Sequence, residues 1–279
     1  MEKVSVIIPC YNSGETIEQT VKSVEKQTWS NIDLIIVNDG SDDGYTLNVL
    51  SKLTNARIFH QKNSGLSSAR NKGLANAKGN YVFFLDADDW IEIDAISKMM
   101  EFMKFSNSSI IFSDTILEGE SKGLRKKNYN FFEQLFINHI PYCFLIEKKI
   151  FEKVGNYDEE MKVGYEDWEF NIRLARAGFF PKRIKQPLFH YRVSKSGMLN
   201  SISKNYHFET FDYIKNKHLE IYTFSNLFMN YLRWRKKKMN YNILLYILIY
   251  CMINLLSIKL SNKIFELISK LKMTNQIKS

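Results

Sequence analysis

The stretch YVFFLDADDW, residues 81–90, carries a run of apolar and aromatic residues directly into three carboxylates. The apolar part predicts a buried strand. Asp86, Asp88 and Asp89 follow it, and like charges this close repel one another unless a cation or a set of donors lies opposite them. The stretch therefore predicts a strand of a buried sheet with a polar site at its end.

Three similar strands precede this one. They are VSVIIP, DLIIVNDG and ARIFHQ, and the segments between them have helical spacing, for example at Ile17, Val21 and Val24. Strands that alternate with helices predict a parallel sheet and an α/β fold. Ligands of such sheets bind beyond the carboxyl ends of the strands. Because the four strands end in YNSG, NDGSDDG, QKNSG and DADD, we expect one polar rim there.

Composition and cysteine usage favour a folded protein in a reducing compartment. A chain of 279 residues that is 45% hydrophobic and 25% charged is long enough for one or two domains. Its three cysteines are odd in number and far apart, so we expect no disulfide framework. The first apolar run is too short for a signal peptide, and we expect a cytoplasmic protein.

Charge is divided unevenly along the chain. Residues 1–201 hold 26 Lys+Arg and 26 Asp+Glu, whereas residues 202–279 hold 13 and 4. This break predicts a domain boundary near residue 200.

The basic tail contains LRWRKKK and then residues 243–258, which are apolar apart from Asn254 and Ser257. Sixteen residues are short for a bilayer span, which needs about 20. A basic cluster beside an apolar helix is typical of binding to an anionic membrane surface. The alternative is that the helices pack on the first domain or join subunits in a homo-oligomer. We expect no nucleic acid, because aromatic and basic residues alternate only in LRWRKKK.

Several common motifs are missing from the sequence. We find no G-x-G-x-x-G, no G-x-x-x-x-G-K-[ST], no H-E-x-x-H and no G-x-S-x-G. NDGSDDG begins like a calcium loop, but Leu50 occupies the position that needs a bidentate Glu. These absences argue against dinucleotide oxidoreductases, P-loop NTPases, zinc proteases and Ser hydrolases.

Four blocks carry a resemblance to a known family. They are SVIIPCYNSGETIEQTVKSVEKQTWSNIDLIIVNDGSDDG, GLSSARNKGLANAKGNYVFFLDADDW, VGYEDWEFNIRLARAG and FHYR. In this order, over roughly residues 3–195, the chain resembles the inverting family 2 glycosyltransferases of the GT-A fold. The resemblance implies a mostly parallel, Rossmann-like sheet flanked by helices in domain 1–200, with a nucleotide-sugar half (1–90) and an acceptor half (91–200). A helical extension (201–279) follows.

The resemblance implies a divalent cation at the carboxylates. Asp86-Ala87-Asp88 matches the D-x-D motif, with Asp88 as the direct ligand and Asp86 directed at the donor ribose or the metal. Alternation along an extended segment would put the two Asp side chains on one side. Mg²⁺ or Mn²⁺ suits carboxylates that share the ion with substrate phosphates. The alternative is a strand end with solvated acids.

The resemblance also implies residues for the nucleotide. Asp39 matches the residue that accepts from the uracil imide, and Pro9, Tyr11 and Asn12 match the turn beneath base and ribose. The alternative for Asp39 is a turn residue before Gly40.

Four basic residues are candidates for the diphosphate side. Arg70 can neutralise diphosphate charge, and Lys62 lies on a loop facing the same cleft; both have a solvated charge as the alternative. His190 matches a histidine of the metal or diphosphate shell, or is structural. Arg192 could meet the leaving diphosphate, or is a surface arginine.

YEDW matches the motif that holds the base. Inversion at an anomeric carbon needs a carboxylate that takes the proton of the acceptor hydroxyl, and the resemblance implies Asp167. Glu166 would position the acceptor and Trp168 would line its site. The alternative for Glu166 and Asp167 is an acidic pair that only stabilises the start of a helix. The alternative for Trp168 is a side chain that simply packs.

The sequence therefore predicts a cation-dependent, inverting glycosyltransferase, peripheral on the inner face of the cell membrane. It would move a Glc, Gal or GlcNAc-type sugar from a UDP-sugar to a hydroxyl of a glycan on lipid or protein, in cell-surface polysaccharide or glycoprotein synthesis. One alternative is a catalytically silent, nucleotide-sugar-binding subunit. A processive synthase is disfavoured by the lack of several long transmembrane runs.

Overall fold

A computed structural model of the protein describes residues 1–194, 206–255 and 260. The chain divides into two compact units. The first comprises residues 1–129, 140–162 and 166–194, and the second comprises 130–139, 163–165 and the described residues 206–255 and 260. The domain boundary predicted near residue 200 lies outside the described residues.

In the described residues, the first unit is built on one nine-stranded sheet with strand order β3-β2-β1-β4-β8-β6-β9-β5, and β7 pairs with β6. The strands are β1 (Val4–Cys10), β2 (Ile32–Asp39), β3 (Arg57–Gln61), β4 (Tyr81–Phe84), β5 (Trp90–Ile91), β6 (Ile110–Gly119), β7 (Gly123–Arg125), β8 (Phe144–Glu147) and β9 (Lys182–Val193). β3, β2, β1 and β4 are mutually parallel. β8 then runs antiparallel to both β4 and β6.

Helices cover this sheet. In the first unit they are α1 (Ile17–Glu25), α2 (Gly44–Lys52), α3 (Leu66–Asn76), α4 (Ala95–Ser106), α6 (Ile150–Val154) and α7 (Glu166–Arg176). The second unit has helices of its own, which are α5 (Phe131–Gln134), α8 (His207–Lys217), α9 (Phe224–Trp234) and α10 (Ile243–Leu255). None of the helices in the described parts of the chain is long and apolar enough to span a bilayer.

A glycine allows α3 to lie close to the buried strand β1. Every residue of β1 is buried, as expected of a strand covered on both faces. Gly73 of α3 sits against Ile7, and a Cβ at this position would be 2.3 Å from the Ile7 Cγ2 atom. Only a glycine permits this approach without displacing Ile7. The close contact fixes the position of α3, and therefore of Arg70, relative to the sheet.

The second unit has a buried carboxylate at its centre. Glu133 of α5 is inaccessible to solvent and accepts hydrogen bonds from Asn240 N (2.8 Å), Tyr241 N (3.1 Å) and the Tyr246 hydroxyl. Phe132 packs edge-on against Tyr246, at 5.6 Å between ring centroids. Because a buried charge needs such donors, Glu133 joins α5 to the start of α10.

The predicted α/β class is confirmed, and one edge of the sheet carries the predicted rim. The four parallel strands are neighbours, so their carboxyl ends lie side by side at the same edge. Residues that follow those ends are the candidates for a site.

Candidate active site

The carboxylates after β4 lie in a turn and not in an extended segment. β4 ends at Phe84, and Asp89 N donates to Asp86 O at 3.1 Å. Thr20 Oγ1 of α1 binds the carbonyl oxygens of Ala87 (2.9 Å) and Asp89 (2.7 Å). The expectation that simple alternation sets the directions of Asp86 and Asp88 is therefore wrong, because strand geometry stops before them.

Asp89, the third carboxylate, anchors this turn. Its side chain is fully buried and accepts from the Tyr142 hydroxyl and from Arg192 N (2.7 Å). Burial, and then Asp88 and Asp86, raise the pKa of Asp89 well above its usual range. The Tyr142 hydroxyl also accepts from Asp86 N at 3.0 Å. Tyr142 carries no signal in the sequence, since it lies more than fifty residues from its partners.

Replacing Tyr142 with Phe should destabilise the protein by about 1–3 kcal/mol, because a buried carboxylate oxygen and a backbone N–H lose their partner. Urea unfolding of the variant measures this loss. Tyr45→Phe is the matched control, since the Tyr45 side chain is exposed. Equal unfolding free energies for the two variants would contradict the role given to Tyr142.

Arg70 of α3 joins two motifs that are far apart in sequence. Its side chain is 1% exposed; Nη2 lies 2.8 Å from Asp86 Oδ1, and Nη1 binds Glu166 Oε1. The guanidinium also lies over the rings of Tyr142 (5.0 Å) and Tyr157 (5.5 Å). Burial alone would lower the pKa of Arg70, but Asp86 and Glu166 raise it above its ordinary value.

This pairing changes the expected role of Arg70. We predicted a cation that neutralises diphosphate, with a solvated helix charge as the alternative. The side chain is neither solvated nor open, because both ends of its guanidinium already bind carboxylates. Glu166, predicted to position the acceptor, is likewise buried against Arg70. Arg70 therefore positions Asp86 against Glu166 at the start of α7.

The first turn of α7 presents three predicted residues in different environments. Glu166 is buried, Asp167 is half-buried and Trp168 is inaccessible to solvent. The burial of Trp168 favours the alternative that its ring packs, and a place for it at an acceptor site stays a prediction. Asp167 is left as the carboxylate of this turn that solvent can reach, beside the Arg70–Glu166 pair.

His190 lies on β9, opposite Trp90 of β5 in the antiparallel register. The two rings stack at 4.9 Å with an interplanar angle of 15°. His190 Nε2 lies 2.8 Å from Glu92 Oε1, and Nδ1 lies 3.4 Å from Glu118 Oε1. Both ring nitrogens face carboxylates, and metal ligation by His190 stays a prediction.

Arg192 reaches the turn after β4 from the same strand. Its Nε donates to Asp88 O at 2.9 Å, and its Nη2 donates to Gln19 Oε1 at 2.6 Å. The guanidinium lies 5.0 Å from the centroid of the Trp90 ring. Gln19 was not predicted, because it is one polar residue among several on α1. Arg192 is thus placed beside Asp88, and its contact with a diphosphate stays a prediction.

At the other end of the rim, Asp39 fastens the loop that leads into α3. It is buried and accepts from Gln61 Nε2 (2.7 Å), Ser64 N (2.8 Å) and Gly65 N (2.9 Å). Two carboxylate oxygens offer about four acceptor sites, so one more donor can be accommodated. The uracil contact predicted for Asp39 stays a prediction beside this observed structural role.

The remaining predicted nucleotide residues lie at the ends of β1 and β3. Asn12 has a left-handed backbone (φ 48°), and its amide oxygen accepts from Asp42 N at 3.1 Å, which ties the ends of β1 and β2 together. Pro9 pairs with β2 inside the sheet, whereas Tyr11 and Lys62 are exposed. The structure therefore brings these residues to one edge, and their contacts with a nucleotide are untested.

A long segment of the chain, which includes most of the candidate site, matches one known protein family. Residues 5–169 match the family described as Glycosyl transferase family 2. The chain belongs to glycosyltransferase family 2. The match covers more than half of the chain and includes the predicted residues from Pro9 to Trp168, whereas His190 and Arg192 lie beyond it.

Two relatives and one solved structure illustrate the similarity. The chain is 42% identical over 132 residues to the poly(ribitol-phosphate) β-N-acetylglucosaminyltransferase TarP of Staphylococcus aureus, covering 45% of this chain and 40% of TarP. It is 41% identical over 115 residues to a cholesterol galactosyltransferase of Borreliella burgdorferi, covering 40% and 32%. The chain thus spans two fifths or less of these relatives.

The solved structure is S. aureus TarS 1–349 in complex with UDP-GlcNAc, with a TM-score of 0.63 and 17% identity over 90% of this chain and 71% of that one. This likeness confirms the predicted GT-A fold.

The carboxylates that follow β4 have the chemistry that a divalent cation at Asp88 would need. Burial and the neighbouring Asp86 raise the pKa of Asp88 to about 6, and Arg192 offsets this only in part. In the described part of the chain, no three His, Cys, Asp or Glu side chains form a metal cage. An ion that takes two carboxylates and completes its shell with substrate phosphates requires no such cage. Asp86 and Asp88 therefore fit Mg²⁺ or Mn²⁺ shared with a ligand.

Proposed function

We propose that this protein is an inverting glycosyltransferase that moves a hexose-type sugar of the Glc, Gal or GlcNAc class from a UDP-sugar to a hydroxyl of a glycan acceptor. The observation that carries the proposal is the Arg70 bridge. One guanidinium binds Asp86 of the donor motif and Glu166, the neighbour of Asp167. A sugar held at Asp86 would thus lie near a base at Asp167, the residue next to Glu166.

Asp167 supplies the proton transfer in this proposal. Its carboxylate takes the proton of the acceptor hydroxyl while the oxygen bonds to the anomeric carbon. UDP leaves from the opposite face of the sugar, so the configuration inverts in one step. The Arg70–Glu166 pair holds the start of α7 in place, which keeps the carboxylate at the distance that proton transfer needs.

Asp86 and Asp88 would hold the cation, and Asp39 would accept the imide N–H of uracil. A bound Mg²⁺ or Mn²⁺ supplies Lewis-acid neutralisation of the negative charge on the leaving diphosphate. Arg192 adds a positive charge next to Asp88. Two relatives support the sugar class: TarP is named for N-acetylglucosamine transfer and the Borreliella burgdorferi protein for galactose transfer. The acceptor would be a lipid-linked or protein-attached glycan of the cell surface.

UDP release from a panel of UDP-sugars with Mn²⁺ tests the proposal. One sugar should turn over, EDTA should abolish turnover, and Asp88→Ala should lower it at least about 100-fold, because neutralisation at the leaving group is lost. Asp94→Ala removes a half-buried carboxylate at the start of α4, paired only with the neighbouring Lys98 in the described salt bridges, and is the matched control.

Two other outcomes reject parts of the proposal. UDP that binds without turnover across varied acceptors would support the catalytically silent subunit instead. A chain that turns over another nucleotide sugar but does not bind UDP would show that Asp39 does not read uracil.

A further inference from the structure

The last two helices of the described chain each have one apolar side buried and another exposed. On α9, Leu227 and Trp234 are buried, whereas Phe224 and Phe228 are 74% and 51% exposed. Exposed phenylalanines four residues apart lie on one face of a helix, and their rings stack at 6.4 Å. Met229 is exposed beside them. α9 therefore presents an apolar face to solvent.

α10 repeats this arrangement. Tyr246, Ile249 and Met252 are buried on one side, and Leu244 (67% exposed) and Ile247 lie on the other. A helix that is apolar all round is normally covered on every side or lies in lipid. Exposed apolar faces of this kind mark an interaction surface.

The residues between the two exposed faces are strongly basic. Residues 221–255 contain five cations and no Asp or Glu. The five are all exposed, and the structure gives none of them an acidic partner within the described residues; they are Arg233, Arg235, Lys236, Lys237 and Lys238. Excess positive charge next to apolar side chains complements a surface that is negative outside and apolar inside.

We propose that α9, α10 and the basic segment between them dock the protein on an anionic phospholipid bilayer, with the cations at the headgroups and Phe224, Phe228 and Leu244 in the acyl boundary. Such interfacial binding combines buried apolar area with attraction to anionic lipid. A second copy of this chain is a poorer occupant, because a two-fold contact through the same face would bring two clusters of five cations together. The proposal does not depend on which reaction the first unit performs.

Vesicle sedimentation of the full chain tests the docking surface. The vesicles contain phosphatidylcholine alone, or phosphatidylcholine with roughly one quarter phosphatidylglycerol. We expect at least about tenfold stronger binding to the anionic vesicles, weakened by salt. Lys236→Gln/Lys237→Gln/Lys238→Gln should remove this preference, because it deletes three of the five cations.

Phe224→Ser/Phe228→Ser should weaken vesicle binding to a similar degree, since it removes the aromatic part of the face. Two controls lie on the first unit: Phe105→Ser, at an 89% exposed phenylalanine, and a triple Lys→Gln variant at the exposed Lys52, Lys104 and Lys122. Both controls should bind like the unsubstituted chain. Circular dichroism establishes that each variant is folded. If Phe224→Ser/Phe228→Ser does not fold, the lysine variants alone test the docking surface.

Three results would overturn the proposal. The first is equal or absent binding to the two kinds of vesicle. The second is an equal loss in the control lysine variant, which would reduce the effect to net charge. The third is a stable dimer by analytical ultracentrifugation that Phe224→Ser/Phe228→Ser dissociates, without vesicle binding, which would assign the face to a second copy.

Discussion

Asp167→Asn should abolish sugar transfer and leave UDP binding intact. The amide has the same shape as the carboxylate but cannot take the proton of an acceptor hydroxyl, so we expect turnover to fall by about 10²–10⁴-fold. Asp167 is half-buried on the first turn of α7, where the helix dipole favours an anion over an amide by a small amount. The fold should therefore survive the change.

Turnover with acceptor present and the UDP dissociation constant, measured by calorimetry, give the two readouts for Asp167→Asn. Asp94→Asn makes the same chemical change at the start of α4 and should alter neither. Full turnover in Asp167→Asn would place the base elsewhere. A loss of UDP binding together with turnover would give Asp167 a structural role and not that of a base.

Arg70→Met should produce the largest loss of stability of any single substitution in the candidate site. It leaves Asp86 and Glu166 without their shared cation, and breaking a buried ion pair from one side costs about 3–5 kcal/mol. Urea unfolding measures the loss. Arg57→Met is the control, because Arg57 binds Asp33 with two hydrogen bonds but is one third exposed. Solvent there should keep the loss smaller.

A double-mutant cycle makes the Arg70 prediction more specific. Arg70→Met/Glu166→Gln should recover part of the stability lost in Arg70→Met, because one of the two uncompensated charges is gone. If Arg70→Met does not fold, Arg70→Lys replaces it; a lysine keeps the charge but cannot bridge two carboxylates with a planar fork. Losses no larger than that of Arg57→Met, without recovery in the double variant, would contradict the bridge.

The strands and the rim were predictable because they depend on local patterns. Continuous apolar runs identified β1, β2 and β4, and the alternation with helices predicted their parallel order. The start of α7 was predictable from the acidic pair before an apolar stretch. Each of these signals is contained in a segment of about ten residues or fewer.

The partners of the site residues were not predictable, because they are distant in sequence. Arg70 in GLSSARNKG was predicted to face a diphosphate, with a solvated charge as the alternative, and the carboxylates that it binds lie 16 and 96 residues away. Trp168 was predicted to line an acceptor site, with packing as the alternative, but α7 is covered on most sides. Helical periodicity reports which face is apolar, and not whether the other face is covered as well.

The three hydrogen bonds that Asp39 accepts have a consequence for redesign of donor choice. Substitution at position 39, where we propose that the nucleobase is read, would also release Gln61, Ser64 and Gly65. α3 begins directly after Gly65, so a lost anchor would disturb the helix that carries Arg70. Under the role proposed for Asp39, base preference and the position of α3 would change together. A change of base would be better sought at Tyr11 and Lys62, which are exposed and are not among the donors to Asp39 in the described part of the chain.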